Sequence, residues 1–91
     1  MDLLEQHNAF FDQCLASKIG TKAAVLWLAM TSLAVDQFDT KEHHFPLNQL
    51  EIMTGESYKM IFKSFKKLQA ADLVFGSYTD ESISCIIKKL Y

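Results

Sequence analysis

Residues 44–74, HFPLNQLEIMTGESYKMIFKSFKKLQAADLV, decide the fold that this sequence predicts. They indicate a short helix, a tight turn at residues 54–56, and a longer helix that begins behind Ser57, a residue well suited to cap it. Gly55 gives the turn its backbone freedom. Asp72 is expected to end the second helix, because Asp tolerates the left-handed conformation better than most residues. A strand follows directly.

The longer helix has two different faces. Its apolar residues Ile61, Phe65 and Leu68 recur at helical spacing, and Phe62 widens their face. The opposite side is basic, and no acidic residue occurs from position 57 to position 71. The lysines of that side are Lys59, Lys63, Lys66 and Lys67. They indicate either a nucleic-acid-binding surface or the ordinary solvated face of an amphipathic helix.

Composition sets limits on both interpretations. The 91 residues predict one domain, residues 1–91, and the 49% hydrophobic content is enough for a core. The formal net charge is −2 and the chain has no arginine. Dedicated nucleic-acid-binding domains are usually basic, and arginine is the preferred reader of guanine. Composition therefore argues against the first interpretation of the lysines.

Two helices are predicted before the decisive stretch. Asp2 and Glu5 form a capping-box pattern that opens the first, which extends toward Gly20. The second, about residues 22–35 behind a cap at Thr21, is apolar almost all round, so we expect it at the centre of the fold with Trp27 in the core.

Extended segments complete the chain. Residues 36–44 predict a loop, and the segment at Phe45 is extended because it precedes a proline. In the short helix that follows, Leu47, Leu50 and Met53 are expected to face inward. Residues 73–78 and 82–88 predict an antiparallel hairpin, because apolar and polar residues alternate along the second segment.

This order of elements predicts an α+β fold of the winged helix-turn-helix type, with three to four helices and a C-terminal β-hairpin wing. The helix-turn-helix would occupy about residues 46–71 and the wing about residues 73–88. An α-helix fits the major groove of DNA, and its lysines would neutralise phosphates while the preceding helix braces it.

The sequence resembles the winged-helix N-terminal domain of phage replisome organisers and DnaD-type primosomal replication proteins. The likeness rests on FFDQCLASKIGTKAAVLWLAMTSLA, on the L-x-x-x-T-G-x-S pattern from Leu50 to Ser57, and on the lysine-rich helix that runs into a hydrophobic strand. It covers most of the chain, although T-G-x-S also occurs in other helix-turn-helix regulators. It implies a domain that binds origin or single-stranded DNA, or dimerises, during replication initiation beside proteins such as a helicase or primase.

The resemblance also implies site residues. Ser57 would cap the recognition helix, and the DNA-facing residues would be Tyr58, Lys59, Lys63, Lys66 and Lys67. Tyr58 has an alternative role in packing on the preceding turn. Two departures from the family pattern stand out. Asp72 replaces a usual glycine, and the wing tip carries Asp80 and Glu81, which would repel a phosphate backbone.

Leu3, Phe10 and Phe11 could form a self-association surface that makes a homodimer. The alternative is ordinary packing on the central helix. Since adjacent residues on a helix are about 100° apart, the two phenylalanines cannot both point inward.

Other classes of function have little support in the sequence. No nucleophile–base pair or glycine-rich phosphate loop is recognisable, so we expect no enzyme and no cofactor. His43 and His44 are adjacent loop residues without a nearby cysteine, which is poor geometry for a metal site. Cys14 and Cys85 are expected to be buried thiols. Without a signal peptide or membrane-spanning run, the expected location is the cytoplasm.

Two functions therefore remain open. The first is a DNA-binding winged helix of phage- or plasmid-type replication or of gene regulation, with a salt slope of roughly −3 to −4 if three or four lysines meet phosphates. The second is a winged-helix adaptor that binds another protein and needs no DNA. The lysines and the resemblance favour the first, whereas the acidic net charge, the missing arginine and the acidic wing favour the second.

Overall fold

The computed structural model of the protein describes residues 2–35 and 37–91, which form an α+β fold. Within these ranges there are five helices and three strands. The elements are α1 (Asp2–Asp12), α2 (Leu15–Ile19), α3 (Thr21–Ala34), β1 (His43–Pro46), α4 (Leu47–Thr54), α5 (Tyr58–Ala70), β2 (Val74–Tyr78) and β3 (Ser82–Ile87). Their order is compatible with a winged helix.

The strands form one antiparallel sheet in the order β1–β3–β2. The predicted hairpin of β2 and β3 is confirmed, and the amide of Thr79 donates to the carbonyl oxygen of Ser82 at 2.8 Å to close its turn. The predicted extended segment before α4 is β1, which pairs with β3 at Phe45 opposite Ile83. Successive side chains of a strand point to opposite faces of the sheet, so alternate residues of β3, namely Ile83, Cys85 and Ile87, are buried in the core.

Gly76 allows β2 to approach β3 closely. A Cβ atom at this position would collide with the carbonyl oxygen of Ser84 and would lie 2.6 Å from the Cα of Cys85. No other residue type fits there without moving the strands.

The centre of the fold is α3, as its apolar composition predicts. Trp27 is fully buried, and its ring stacks on that of Phe10 with 3.9 Å between centroids and 12° between planes. The helix is capped by Gly20 rather than by Thr21, which is its first residue. The other helices pack on α3, and the buried residues of the strands belong to the same hydrophobic core.

The first predicted helix is in fact two helices, so the chain has more helices than the three to four expected. Cys14 has a φ of 57°, which ends the regular helix after Asp12 and starts α2 in a new direction. The new direction buries Ile19, which is 7% exposed. The side chain of Asp2, the first half of the expected capping box, lies outside the described residues.

Two predicted burials are wrong. Cys14 is exposed, because the left-handed turn carries it away from the core, and only Cys85 is a buried thiol. Met53 is 43% exposed, whereas Leu47 and Leu50 are buried as predicted. Because α4 is short, two inward positions are enough to seat it on the core.

The C-terminal segment is tied to α1 by one buried side chain. Gln6 is fully buried; its Nε2 donates to the carbonyl oxygen of Lys88 at 2.7 Å, and its Oε1 accepts from the amide of Leu90 at 2.8 Å. These bonds fix the residues after β3 against the helical layer. None of the described helices has the length and apolar character to cross a membrane.

Candidate nucleic-acid interface

Helix α5 has the ends that the sequence predicts. The Oγ of Ser57 accepts a hydrogen bond from the amide of Met60 at 3.5 Å, which makes Ser57 the N-cap. At the other end, Asp72 has a φ of 60° and lets the chain turn into β2. Ile61, Phe65 and Leu68 are buried as predicted. Because this apolar face packs on the core, the opposite face of α5 lies at the protein surface.

That face carries a row of exposed lysines, which we call the lysine ridge. At about 100° per residue, its members span an arc of only about 100° around the helix axis. They are Lys59, Lys63, Lys66 and Lys67, and all are exposed. Across residues 2–35 and 37–91, the ion pairs are Lys22 with Glu56 and His44 with Glu42, so no ridge lysine is neutralised by a carboxylate.

A fifth lysine extends the ridge onto α2. Lys18 is exposed and, together with Lys67, lines a shallow cleft of about 380 Å³ whose floor is formed by Ile19, Ala70 and Ala71. Sequence reasoning missed Lys18, because only the packing of the fold brings α2 beside the end of α5. The two ammonium groups make this cleft a place where an anion would be attracted.

Three aromatic rings border the ridge and form what we call the aromatic row. The rings of Phe62 and Tyr78 stack with 4.4 Å between centroids, and Tyr58 meets Phe62 edge-on at 6.0 Å. Tyr58 is 47% exposed, and the other two rings are half-buried. The row therefore runs from the start of α5 to the hairpin.

The hairpin is held beside the ridge by polar contacts as well as by rings. The Nζ of Lys66 lies 6.0 Å from the ring centroid of Tyr78. One turn further on, Gln69 Nε2 donates to the carbonyl oxygen of Gly76 at 2.9 Å. Cationic and aromatic groups thus share one continuous surface that two elements hold in place.

A surface of opposite charge lies at the start of α5, and we call it the acidic groove. It has a volume of about 420 Å³, and its lining residues are Leu47, Asn48, Glu51, Tyr58, Asp80 and Glu81. The amide of Leu47 donates to the carbonyl oxygen of Glu81 at 2.9 Å, which fixes the hairpin tip beside α4. Tyr58 belongs to both the groove and the aromatic row. The residues at the start of α5 therefore border carboxylates as well as lysines.

The predicted self-association residues lie in different environments. Phe10 is fully buried against Trp27 and is not available to a partner, and Leu3 is partly buried on the core. Phe11 is 53% exposed and, with Leu4 at 59%, remains an apolar surface of α1. As expected from the helical geometry, only one of the adjacent phenylalanines faces inward.

Outside this region, Cys85 is buried in the core, and His43 and His44 are in contact with polar groups of neighbouring segments. Burial, and to a smaller extent the charge of Glu42, raises the pKa of the Cys85 thiol to about 12, so this thiol stays protonated. His43 Nε2 lies 2.8 Å from the carbonyl oxygen of Gln37, and His44 Nδ1 lies 2.6 Å from Ser84 Oγ. In the described part of the chain, no three His, Cys, Asp or Glu residues are grouped as metal ligands.

The comparisons with known proteins place the chain in no family. No protein-family model, no curated protein and no solved structure matches it. Any functional inference therefore depends on the geometry of the surfaces described above.

Proposed function

We propose that the protein is a winged-helix DNA-binding domain of the cytoplasm that acts in phage- or plasmid-type replication initiation. In this proposal α4 and α5 are the helix-turn-helix and the β2–β3 hairpin is the wing. The observation that carries it is the lysine ridge, whose four side chains share one exposed face and have no described carboxylate partner.

The electrostatics of the ridge explain how such a domain would work. Each lysine that meets a phosphate releases a condensed counterion, so four contacts give moderate affinity that falls steeply with salt. The net charge of −2 limits long-range attraction. Useful affinity therefore requires a second bound copy or a replication protein, such as a helicase or primase, that holds the domain near DNA.

A homodimer through α1 would supply that second copy. Its contact would use the exposed Phe11 and Leu4 beside the partly buried Leu3, while Phe10 supports the helix from inside. Light scattering after size-exclusion chromatography tests this: the wild type should be dimeric at high concentration and Phe11→Glu monomeric. A monomeric wild type would reject the dimer but not the DNA proposal.

The decisive experiment measures fluorescence anisotropy of labelled DNA over a salt series. Wild type is compared with Lys59→Glu/Lys63→Glu, and with the matched variant Lys41→Glu/Lys88→Glu, which changes the net charge equally at exposed positions outside α5. The ridge variant should lose binding and the matched variant should keep it. Absence of binding at low salt, or equal loss in both variants, would overturn the proposal.

The second candidate function is an adaptor that binds another protein without DNA. The acidic groove favours it, because Glu51, Asp80 and Glu81 surround an apolar floor that includes Leu47. Carboxylates at the tip of a wing are unsuited to phosphate but suited to a basic segment of a protein. If the anisotropy experiment detects no DNA binding, this candidate replaces the first.

A further inference from the structure

We propose that the acidic groove is the docking site for a basic amphipathic segment of a partner protein, a stretch in which lysine or arginine residues flank a large apolar side chain. This inference rests on the second candidate function and specifies the chemistry of its partner. The starting point is that the groove and the lysine ridge are separate surfaces. Tyr58, the residue of α5 that lines the groove, lies about 80° to 180° around the helix axis from the ridge lysines.

The groove has an apolar floor beneath a negatively charged rim. Leu47, which belongs to the floor, is 5% exposed. The carboxylates of the rim come from two elements, with Glu51 on α4 and Asp80 and Glu81 at the hairpin tip. The volume of about 420 Å³ is near the lower end of the range for ligand pockets. A groove of this size accommodates side chains of a bound segment rather than a whole helix.

The rim carboxylates are not neutralised by the chain itself. Within residues 2–35 and 37–91, the acids that form ion pairs are Glu42 and Glu56, which lie outside the groove. A neutral segment that covered the rim would remove water from its carboxylates without replacing their hydrogen bonds and counter-charge. Charge complementarity therefore favours a segment with lysine or arginine.

A cation on a long apolar stem suits the groove better than a free ion does. The methylene groups of lysine or arginine can lie on the apolar floor while the charged head reaches the rim. Tyr58 is 47% exposed and offers the face of its ring to the same cation. Among the described residues, no three side chains are grouped as metal ligands. The groove therefore favours a basic side chain as its occupant.

The apolar part of the segment is expected to contact Ile52. This side chain is 83% exposed, the highest value among the large apolar side chains of residues 2–35 and 37–91. Ile52 follows Asn48 by four residues in α4, so the two lie on the same side of the helix, and Asn48 lines the groove. A segment that places a basic side chain in the groove can therefore cover Ile52 with an adjacent apolar one.

A second copy of this chain fits the groove less well than another protein does. Its lysine ridge would supply cations, but the apolar residues Ile61, Phe65 and Leu68 of the same helix are buried in its own core. The folded copy would thus present lysines without these apolar side chains. A segment of another protein can present both kinds of side chain together.

The first test compares two peptides. The probe is a fluorescein-labelled synthetic peptide of about 12 residues made of lysine-lysine-leucine repeats, and the control peptide has glutamate in place of lysine. Fluorescence anisotropy should show that the full chain binds the basic peptide at least about tenfold more tightly than the acidic one. Equal affinity, or no binding of either peptide, would overturn this inference and leave the proposed DNA function intact.

The second test locates the binding site. Asp80→Asn/Glu81→Gln should weaken binding of the basic peptide about tenfold, because it removes two charges of the rim. The matched variant Glu5→Gln/Asp12→Asn changes the net charge equally at exposed positions of α1, and it should bind within about twofold of wild type. Equal weakening in both variants would mean that the peptide is attracted by net charge alone and would overturn the inference.

The third test removes the apolar contact. Ile52→Ala should weaken binding of the basic peptide about threefold, because part of the apolar surface is lost. Met53→Ala is the matched control, since Met53 is 43% exposed but lies about 100° further around α4, away from Asn48. Unchanged affinity in Ile52→Ala would overturn the claim that the segment is amphipathic.

The last measurement separates this inference from the proposed function. Lys59→Glu/Lys63→Glu should lose DNA binding and hold the basic peptide at least as tightly as wild type, whereas Asp80→Asn/Glu81→Gln should lose the peptide and still bind DNA. Loss of both ligands in both variants would mean one shared surface and would overturn the inference. In light scattering, a wild-type dimer that dissociates in Asp80→Asn/Glu81→Gln would identify a second copy as the occupant and would also overturn it.

Discussion

Helices α3 and α5 pack against each other but have opposite surroundings. In α3, eight of 14 residues are buried, whereas in α5 only four of 13 are. The buried residues of α5 face α3, and the rest of α5 faces solvent with its lysines. The central helix thus holds the fold together, and its neighbour presents a surface that the fold does not need for its own stability.

This difference predicts that separate residues determine the stability of the fold and the binding of a ligand. Exposed lysines contribute little to stability, because solvent screens their charges. Buried aromatic rings contribute several kcal/mol each, because removing one leaves a cavity. Substitutions in α3 should therefore change the free energy of unfolding, and substitutions on the ridge should change the affinity for nucleic acid.

The largest effect is expected for Trp27→Ala. Trp27 is fully buried and stacked on Phe10, so the variant should lose about 3 to 5 kcal/mol of unfolding free energy. Urea denaturation followed by circular dichroism measures this. Ile52→Ala is the control, because Ile52 is 83% exposed and should change stability little. Equal losses in the two variants would contradict the central position of α3.

The next effect is expected for Lys66→Glu/Lys67→Glu. Two lost phosphate contacts should lower affinity about 30-fold near 0.1 M salt, while the unfolding free energy changes by less than about 0.5 kcal/mol. Anisotropy and denaturation of the same sample give both values. A variant that binds normally but unfolds more easily would contradict the prediction that the lysines of α5 serve binding rather than stability.

A smaller effect of opposite sign is expected for Asp80→Asn/Glu81→Gln. Neutralising the hairpin tip removes repulsion near the start of α5, so affinity should rise about threefold at low salt and little at high salt. Anisotropy at two salt concentrations measures this difference. A loss of affinity would mean that the carboxylates take part in binding.

The smallest effect is a dependence of stability on pH, which we expect from His7 where α1 contacts α3. The Nε2 of His7 lies 3.0 Å from Thr31 Oγ1. Burial lowers the pKa of His7 below 6.5 in the folded chain. As the pH falls, His7 therefore takes up a proton in the unfolded chain before it does so in the folded chain. At pH 8 it is neutral in both states and does not change the free energy of unfolding. That free energy decreases as the pH falls below about 6.5. In denaturation curves at pH 5 and pH 8, His7→Gln should show a smaller difference than wild type. An unchanged difference would exclude His7 as its source.

Local signals in the sequence predicted much of this fold. The Ser57 cap and the left-handed Asp72 bound α5, and alternation along residues 83–87 identifies β3, because each depends on neighbouring residues only. The break at Cys14 was not predictable in this way, because its backbone adopts a positive φ without a glycine to signal it.

The candidate site was predictable in part for the same reason. Helical spacing placed the lysines on one face, and turn residues placed Asp80 and Glu81 at the hairpin tip. The stack of Phe62 on Tyr78 and the cleft between Lys18 and Lys67 join residues that are distant in the chain. Such contacts depend on how the elements pack, which no local pattern encodes.

The most direct test is the slope of the logarithm of the binding constant against the logarithm of the salt concentration, measured for the wild type and a labelled DNA. Four ridge lysines that meet phosphates should give a slope of about −3, and Lys59→Glu/Lys63→Glu should reduce it to about half. A slope near zero, or no binding at low salt, would contradict the role that we give to the lysine ridge.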